Sequence, residues 1–210
     1  MAGPSHPRRL GRPPATDSAK TRERILDIAR AAFAAGGYEA STNRELAARA
    51  GITSGALYHY FGSKLDLYLA VHDDVQEQVY ARFNEAVEEP VGFLAKFDAV
   101  LDVAHELNER DPTLAAFLGA VRSDMRRHPE IAEALGPQAR RREVFFLRLV
   151  DAGVASGEIS PANRDLVVEF VAIILIGLTD GVSDDSESHQ RAIMSIKLAM
   201  RGQLLTTPAP

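Results

Sequence analysis

The side chains best suited to contacting nucleic acid are concentrated between residues 42 and 64. This stretch begins TNRELAARAGITSGALYHYF and ends with a lysine, so it combines hydroxyl, guanidinium, imidazole and phenol groups with several very small residues. Hydroxyl and guanidinium groups donate hydrogen bonds to phosphates and base edges, and small residues let a backbone approach the bases closely. These residue types point to a surface that contacts DNA, provided that the chain folds them onto suitable elements.

The first element needed is a short helix. Thr42 is a predicted N-cap, and Glu45 three residues later completes the spacing of a capping box. Ala47 is small enough to let a second helix approach closely. Gly51, four residues later, permits the left-handed turn between the two helices.

The second element begins at Thr53 or Ser54. Ile52 and Leu57 are expected to bury its underside against the preceding helix. Together these are the steric requirements of a helix-turn-helix, whose second helix lies in the DNA major groove. A purely structural helical hairpin satisfies the same spacing, but the small, polar and aromatic outer face with basic neighbours favours DNA binding.

Composition excludes several other classes of protein. The chain has 210 residues, of which 46% are apolar and 25% charged, and it has no cysteine. Thiol catalysis and cysteine zinc sites are therefore excluded. No nucleophile–base–orienter set, phosphate-cradling glycine loop or HExxH pattern is present, so we predict no enzyme, no cofactor and no metal site. His105 and Glu109 are one helical turn apart and could hold a metal together with Glu106 or another nearby residue. Two ligands on one turn fall short of a metal site, however, and a solvated face is the better interpretation.

Charge is divided unevenly along the chain. Residues 1–65 carry ten basic and five acidic side chains, whereas residues 66–210 carry 14 and 24. A basic end joined to an acidic body indicates that one end meets a polyanion. The longest apolar run, Leu166 to Leu178, has 13 residues and contains Glu169, fewer than the roughly 20 that cross a bilayer. We therefore expect a cytoplasmic protein with no membrane partner.

The remaining pattern is helical. Residues 1–20 are rich in proline, glycine and arginine and are predicted to form a disordered basic arm. A helix is predicted from Thr21 to the glycines at 36 and 37, and another, capped by Ser63, from Lys64 to about Glu89. Prolines divide the rest into segments at about 91–109, 112–126, 137–156, 163–181 and 187–204. We predict an all-α fold of about nine or ten helices.

Residues 21–71 resemble the N-terminal domain of TetR/AcrR-family transcriptional regulators. The resemblance rests on three motifs in the family order: F-x-x-x-G-Y/F, T-x-x-x-L-A-x-x-A-G-I and G-x-L-Y-x-Y-F-x-S-K-x-x-L. It implies an N-terminal three-helix helix-turn-helix DNA-binding domain at 21–81. It also implies a C-terminal helical domain for effector binding and dimerisation at 82–210.

The resemblance also implies roles for individual residues. Arg44 is expected to donate to guanine or to phosphate, and Thr42 to meet a phosphate while capping its helix. Tyr58 is expected on the DNA backbone and His59 on a base or phosphate, while Lys64 is a phosphate anchor in this family. The small residues that open the recognition helix are expected to approach the bases: Thr53, Ser54, Gly55 and Ala56. The arginines at 8, 9 and 12 are consistent either with a minor-groove arm or with a solubilising tail.

The acidic body suggests a dimer and an apolar effector. Segments 137–156 and 163–181 are candidates for a four-helix homodimer interface, because the second is apolar nearly all round. A central helix of a monomeric core is the alternative. Residues that line an effector cavity, or equally fill a core, are Leu94, Phe97, Leu101, His105, Phe117, Val121, Met125, Phe146, Leu149, Val171 and Ile174. If Arg122, Arg126 or Arg127 lies at the mouth of the cavity, an anionic head group becomes conceivable.

These features lead to one main hypothesis. The chain is expected to be a homodimeric repressor that binds a palindromic operator in double-stranded DNA and is released by a small, apolar effector. One alternative is a helical small-molecule carrier or enzyme that does not bind DNA. Another keeps DNA binding but makes the chain an activator or a partner-controlled regulator.

Overall fold

The computed structural model describes residues 15–181 and 185–205, without the side chains of 15–17 and 137–142. All regular structure in these ranges is helical, which confirms the all-α prediction. The elements are α1 (Ala15–Gly36), α2 (Asn43–Arg49), α3 (Ser54–Tyr60), α4 (Lys64–Ala86), α5 (Phe93–Arg110), α6 (Pro112–Arg127), α7 (Pro129–Ser156), a 3₁₀ turn (Pro161–Asn163), α8 (Arg164–Gly181) and α9 (Ser186–Met200).

The start of α1 corrects the predicted boundary of the N-terminal arm. The helix begins at Ala15, so residues 15–20 belong to it rather than to a disordered segment. Residues 18–20 are exposed. Because exposed residues need not be apolar, they do not show the helical spacing of apolar side chains from which a helix is predicted. The arm arginines at 8, 9 and 12 lie outside the described residues.

Helix α7 corrects a second boundary. A break was predicted at Gly136-Pro137, but the helix runs without interruption from Pro129 to Ser156. An internal proline removes one backbone hydrogen bond and costs about 3 kcal/mol. Packing on both sides offsets this cost, because Ile131 and Leu135 are buried in one core of the molecule and Phe145 and Phe146 in another.

The two cores meet at α6. The first core joins the N-terminal helices to Leu114, Phe117 and Val121 of α6. The second core is built from α5, α7, α8 and α9 with the end of α4. Helix α6 packs against α1 of the N-terminal unit and against α8 of the body, so it lies between these two parts of the molecule. The domain boundary predicted between residues 81 and 82 falls inside α4, which contributes side chains to both cores.

A buried carboxylate connects α6 to the N-terminal unit. Asp124 is only 2% exposed. Its Oδ2 atom accepts hydrogen bonds from the Tyr38 backbone N–H and from the Tyr68 hydroxyl, both at 2.8 Å. Gly37 approaches the same side chain with a φ of +74°, and a Cβ atom there would lie 3.0 Å from Asp124 Oδ1. The turn after α1 is therefore held directly against α6.

A second polar link lies at the other end of α6. Arg30 of α1 is buried, and its guanidinium donates to Asp111 Oδ2 at 2.6 Å and to Thr113 Oγ1 at 3.0 Å. Asp111 also caps α6 by accepting from the Thr113 backbone N–H. The same guanidinium lies 3.8 Å from Asp74 of α4. These contacts connect α1, α4 and α6 through one arginine.

Candidate DNA-binding surface and effector cavity

The helix-turn-helix is held by two caps and a tight turn. Thr42 Oγ1 accepts from the Glu45 backbone N–H at 3.2 Å, while Glu45 Oε2 accepts from the Thr42 backbone N–H at 2.9 Å. The hydrogen bonds that the Thr42 backbone N–H and hydroxyl donate to the Glu45 carboxylate hold its pKa below the usual value. Gly51 has a φ of +67°, and Thr53 caps α3 through the Ala56 N–H. The predicted capping box and left-handed turn are thereby confirmed.

Helix α3 presents one face to solvent. Leu57 is buried beneath it, whereas Gly55, Tyr58 and His59 are exposed and recur at the spacing of one helical face. The Tyr58 side chain is 53% exposed although it is large and partly apolar. Ser54 and Ala56 are half-buried beside this face. A narrow and uncharged surface is therefore available to a partner.

Cationic groups lie at the margins of this surface. Arg44 and Arg49 of α2 are exposed, as are Lys20 and Arg24 of α1. Arg22 lies over the ring of buried Phe61, with 5.4 Å from its guanidinium carbon to the ring centroid. The start of α1 is therefore packed beside the end of α3. Arginine and lysine in such positions neutralise phosphates on both sides of a groove-reading helix.

Lys64 is placed differently from a freely solvated lysine. Its ammonium nitrogen lies 4.3 Å from the centroid of the Tyr38 ring, which is a cation–π contact. Burial lowers its pKa, although Glu39, Asp124 and Glu45 act in the opposite direction. The side chain is half-buried at the first residue of α4. Its position is fixed by an aromatic neighbour on the turn that Asp124 also holds.

A cavity of about 150 Å³ opens in the body between α4, α5, α6, α7, α8 and α9. Its apolar lining comes from Val79, Phe83, Ala104, Leu107, Leu114, Ala115, Leu118, Phe146, Ala172, Leu175, Ile176 and Leu178. Its polar lining comes from Gln76, Tyr80, Asn108, Arg122, Thr179 and His189. Such a mixture of apolar walls and few polar groups is typical of small-molecule sites.

The predicted cavity lining is corrected at most positions. Phe146 lines the cavity, but the other ten residues proposed from the sequence do not. Leu101, Phe117, Val121, Leu149, Phe97 and Val171 are filled core, and Met125, Leu94 and Ile174 are partly buried against it. His105 lies behind His189, with 3.2 Å between their Nδ1 atoms. Periodicity identifies which face of a helix is buried, but not whether that face meets atoms or empty space.

Arg122 lies at the cavity, one of the three positions considered for an anion contact. Its guanidinium is already paired with Asp180 of α8, with Nε at 3.0 Å from Oδ2 and a second contact between Nη2 and Oδ1. Gly119 makes room for this carboxylate, because a Cβ atom there would lie 3.1 Å from Asp180 Oδ1. The pair joins α6 to α8 at the edge of the cavity.

The outer face of α8 is apolar and exposed. Leu166 is 69% exposed and Ile173 66% exposed, and Phe170 and Ile176 extend the same stripe. Val144 of α7 adds another exposed apolar side chain, and α7 packs directly on α8. This stripe lies on the two segments that were proposed as the dimer interface.

The part of the chain that the structure describes contains neither a membrane-spanning helix nor a cluster of metal ligands. Within residues 15–181 and 185–205, no helix has the length and hydropathy needed to span a membrane. In the same ranges, no three histidine or carboxylate side chains are grouped closely enough to hold a metal ion.

Comparisons with known proteins point to one family of regulators. Residues 25–71 match the family described as bacterial regulatory proteins, tetR family. The HTH-type transcriptional regulator UidR of Escherichia coli (strain K12) is 28% identical over 178 residues, which cover 84% of this chain and 87% of UidR. The HTH-type transcriptional repressor KstR2 of Mycolicibacterium smegmatis is 26% identical over 156 residues, covering 73% of this chain and 75% of KstR2.

A solved structure agrees at the level of the fold. FadR from Bacillus subtilis, determined in complex with stearoyl-CoA, superposes with a TM-score of 0.72 at 19% identity, covering 88% of this chain and 97% of that chain. The comparisons favour a regulator over the alternative of a carrier or enzyme. With the capped helix-turn-helix and its exposed recognition face, they show a tetR-type DNA-binding domain at residues 25–71 in a chain that is similar over most of its length to DNA-binding transcriptional regulators.

Proposed function

We propose that the chain is a homodimeric repressor that binds a palindromic operator and is released when a small molecule occupies the cavity of the body. The observation that carries the proposal is the exposed face of α3, with Tyr58 and His59 outward and Leu57 buried. That face is small and uncharged at its centre and has exposed Arg44 nearby on α2. These are the requirements for base contact with phosphate anchoring beside it.

A second copy of the chain supplies the other half-site. One helix-turn-helix covers only one major groove, and a two-fold dimer places two recognition helices about 34–36 Å apart. The exposed stripe of α8, with Leu166 and Ile173, would be covered by the same stripe of a partner. We therefore assign the dimer interface to α7 and α8.

The effector site is assigned to the cavity, and its link to DNA is assigned to α6. Leu118 and Arg122 line the cavity, while Val121 and Asp124 face the N-terminal unit. Residues two apart on a helix point to nearly opposite sides. Arg122 therefore lies at the cavity, whereas Asp124 contacts the N-terminal unit. Displacement of α6 by a ligand would move the turn after α1 and the start of α4. FadR bound to stearoyl-CoA and KstR2, named as a repressor, support a ligand-released repressor.

DNA binding is tested by footprinting the region upstream of the gene that encodes this chain. The unmodified protein should protect a palindrome, and its affinity should fall steeply with salt because phosphate contacts release counterions. Arg44→Ala and Tyr58→Ala should each abolish specific protection. Arg126→Ala removes an exposed arginine from the end of α6 and should leave protection intact.

The same variants show which result would contradict the proposal. Gel filtration and circular dichroism should show that Arg44→Ala and Tyr58→Ala keep the size and helix content of the unmodified protein. Normal protection by both variants would exclude the assigned surface. Protection without two-fold symmetry would exclude the palindromic dimer.

A further inference from the structure

A pair of histidines forms one wall of the cavity. His189 of α9 lines the cavity and is only 3% exposed. Behind it lies His105 of α5, with 3.2 Å between the two Nδ1 atoms and 15° between the ring planes. This distance and the near-parallel planes fit a hydrogen bond between the rings, so one Nδ1 atom donates and the other accepts.

The carboxylate of Glu109 favours one of the two directions of this hydrogen bond. Its Oε1 atom lies 3.8 Å from His105 Nε2 and accepts a hydrogen bond from Ser186 Oγ at 3.0 Å. A carboxylate on that side favours the tautomer of His105 that carries its proton on Nε2. A neutral imidazole has a single N–H, so His105 Nδ1 must be the acceptor and His189 Nδ1 the donor. Burial and the neighbouring His105 lower the pKa of His189, which favours the neutral form of that ring.

The tautomer of His189 determines whether the ring accepts or donates a hydrogen bond toward the cavity. With its proton on Nδ1 directed to His105, the nitrogen left for the cavity is Nε2, which has a lone pair and no hydrogen. The cationic group of the lining, Arg122, is occupied by Asp180. Leu107, Phe146 and Leu175 are among the apolar walls. A largely apolar molecule that places a hydrogen-bond donor against His189 therefore fits this wall of the cavity.

We propose that the cavity takes an apolar molecule bearing a hydroxyl group, whose O–H donates to Nε2 of His189. This inference rests on the proposed function, in which the cavity is the effector site. Glu109 is a positioning residue, because it orients the protons of the histidine pair without touching the ligand. An ether of the same shape is rejected, since its oxygen would bring a lone pair against the lone pair of Nε2.

The test measures binding by isothermal titration calorimetry on the full chain at neutral pH without DNA. The probes are 2-naphthol, 2-methoxynaphthalene and naphthalene, which share an apolar ring system and differ in the donor. The unmodified protein should bind 2-naphthol about tenfold more tightly than its methyl ether, as expected for one hydrogen bond and the avoided repulsion. His189→Phe should remove this preference and retain naphthalene binding.

A charge reversal at Glu109 tests the positioning role. In Glu109→Lys the ammonium favours a lone pair on His105 Nε2, so His105 would donate from Nδ1 and His189 would carry its proton on Nε2, facing the cavity. Both probes can accept from that N–H, so most of the preference for 2-naphthol should disappear. Glu106→Lys makes the same charge change on α5 at a side chain paired with Arg82, and it should keep the preference.

Three results would overturn the inference. They are equal binding of 2-naphthol and its ether by the unmodified protein, equal behaviour of Glu109→Lys and Glu106→Lys, and no binding of any of the probes. Operator footprinting of the unliganded protein tests the regulator separately. A missing preference with an intact footprint overturns this inference alone, whereas a missing footprint with the preference retained overturns the proposed repressor.

Discussion

At the scale of single residues, Asp124 has the greatest influence on how the parts of the molecule are joined. It is buried in α6 and accepts from the Tyr38 N–H and the Tyr68 hydroxyl. Burial, reinforced by this hydrogen bond and by the charge of Asp124, raises the pKa of the Tyr68 hydroxyl well above its ordinary value. Tyr68 therefore stays protonated and remains a donor throughout the range in which the protein functions.

The close approach of Gly37 to Asp124 leads to the first prediction. Gly37→Ala should lower the free energy of unfolding by about 1–2 kcal/mol from the left-handed backbone alone, and by more once the new Cβ displaces the carboxylate. Gly51→Ala is the matched control, because Gly51 has a similar φ but nothing within 4 Å of the added Cβ. Urea unfolding of both variants measures the difference. Equal destabilisation would show that contact with Asp124 adds nothing.

His189 leads to a prediction about pH. Its pKa is lowered in the folded state, first by burial and then by His105, from an ordinary value of 6.5. When the pH falls below that value, the unfolded chain binds a proton that the folded chain resists, so the free energy of unfolding should decrease. Unfolding measured between about pH 7.5 and 5.5 should show this slope.

Two variants separate His189 from the other histidines. His189→Gln should flatten the dependence of the unfolding free energy on pH over that interval. His59→Gln changes an exposed imidazole on α3 and should leave the slope as it is. An unchanged slope in His189→Gln would mean that other groups cause the loss of stability in acid.

At the scale of elements, the capping box of α2 is a feature that the sequence predicted in detail. Thr42→Ala should lower the free energy of unfolding by about 1 kcal/mol, because the Glu45 N–H loses its acceptor. Operator affinity should fall as well, since α2 supports α3. Thr42→Ser keeps the hydroxyl and should restore both properties in urea titration and footprinting. Failure of serine to restore stability would assign the loss to the methyl group.

Local chemistry explains why α2 and α3 could be predicted and α7 could not. The ends of α2 and α3 are set by Thr42, Gly51 and Thr53, whose preferences act within a few residues. The continuity of α7 through Gly136-Pro137 depends on two cores assembled from distant segments, which no local pattern reveals. Most of the cavity lining was missed for the same reason, because His189 reaches the cavity only through the packing of α9 on α5.

At the scale of the whole molecule, the apolar stripe of α8 leads to a prediction about assembly. Ile173→Asp should raise the dissociation constant of the dimer about 100-fold or more, because an unpaired charge would enter the interface. Ile173 is 66% exposed in one chain, so the monomer should keep its helix content. Analytical ultracentrifugation measures the dimer, and operator affinity should fall with it.

A matched substitution elsewhere controls for the change from an apolar to a charged side chain. Val91, between α4 and α5, is 85% exposed and is not part of α7 or α8. Val91→Asp should leave both the dimer and operator affinity unchanged. A dimer that survives Ile173→Asp would place the interface on another face.

In the proposed mechanism, the position of α6 between two cores imposes a compromise on the evolution of this protein. Substitutions that fasten α6 more firmly to Tyr38 and Tyr68 would strengthen repression and, by the same contacts, make the protein harder to induce. Substitutions that loosen it would ease induction and allow more transcription when no inducer is present. Tightness of silencing and sensitivity to the signal are thus set together along one helix, and selection cannot adjust either of them alone.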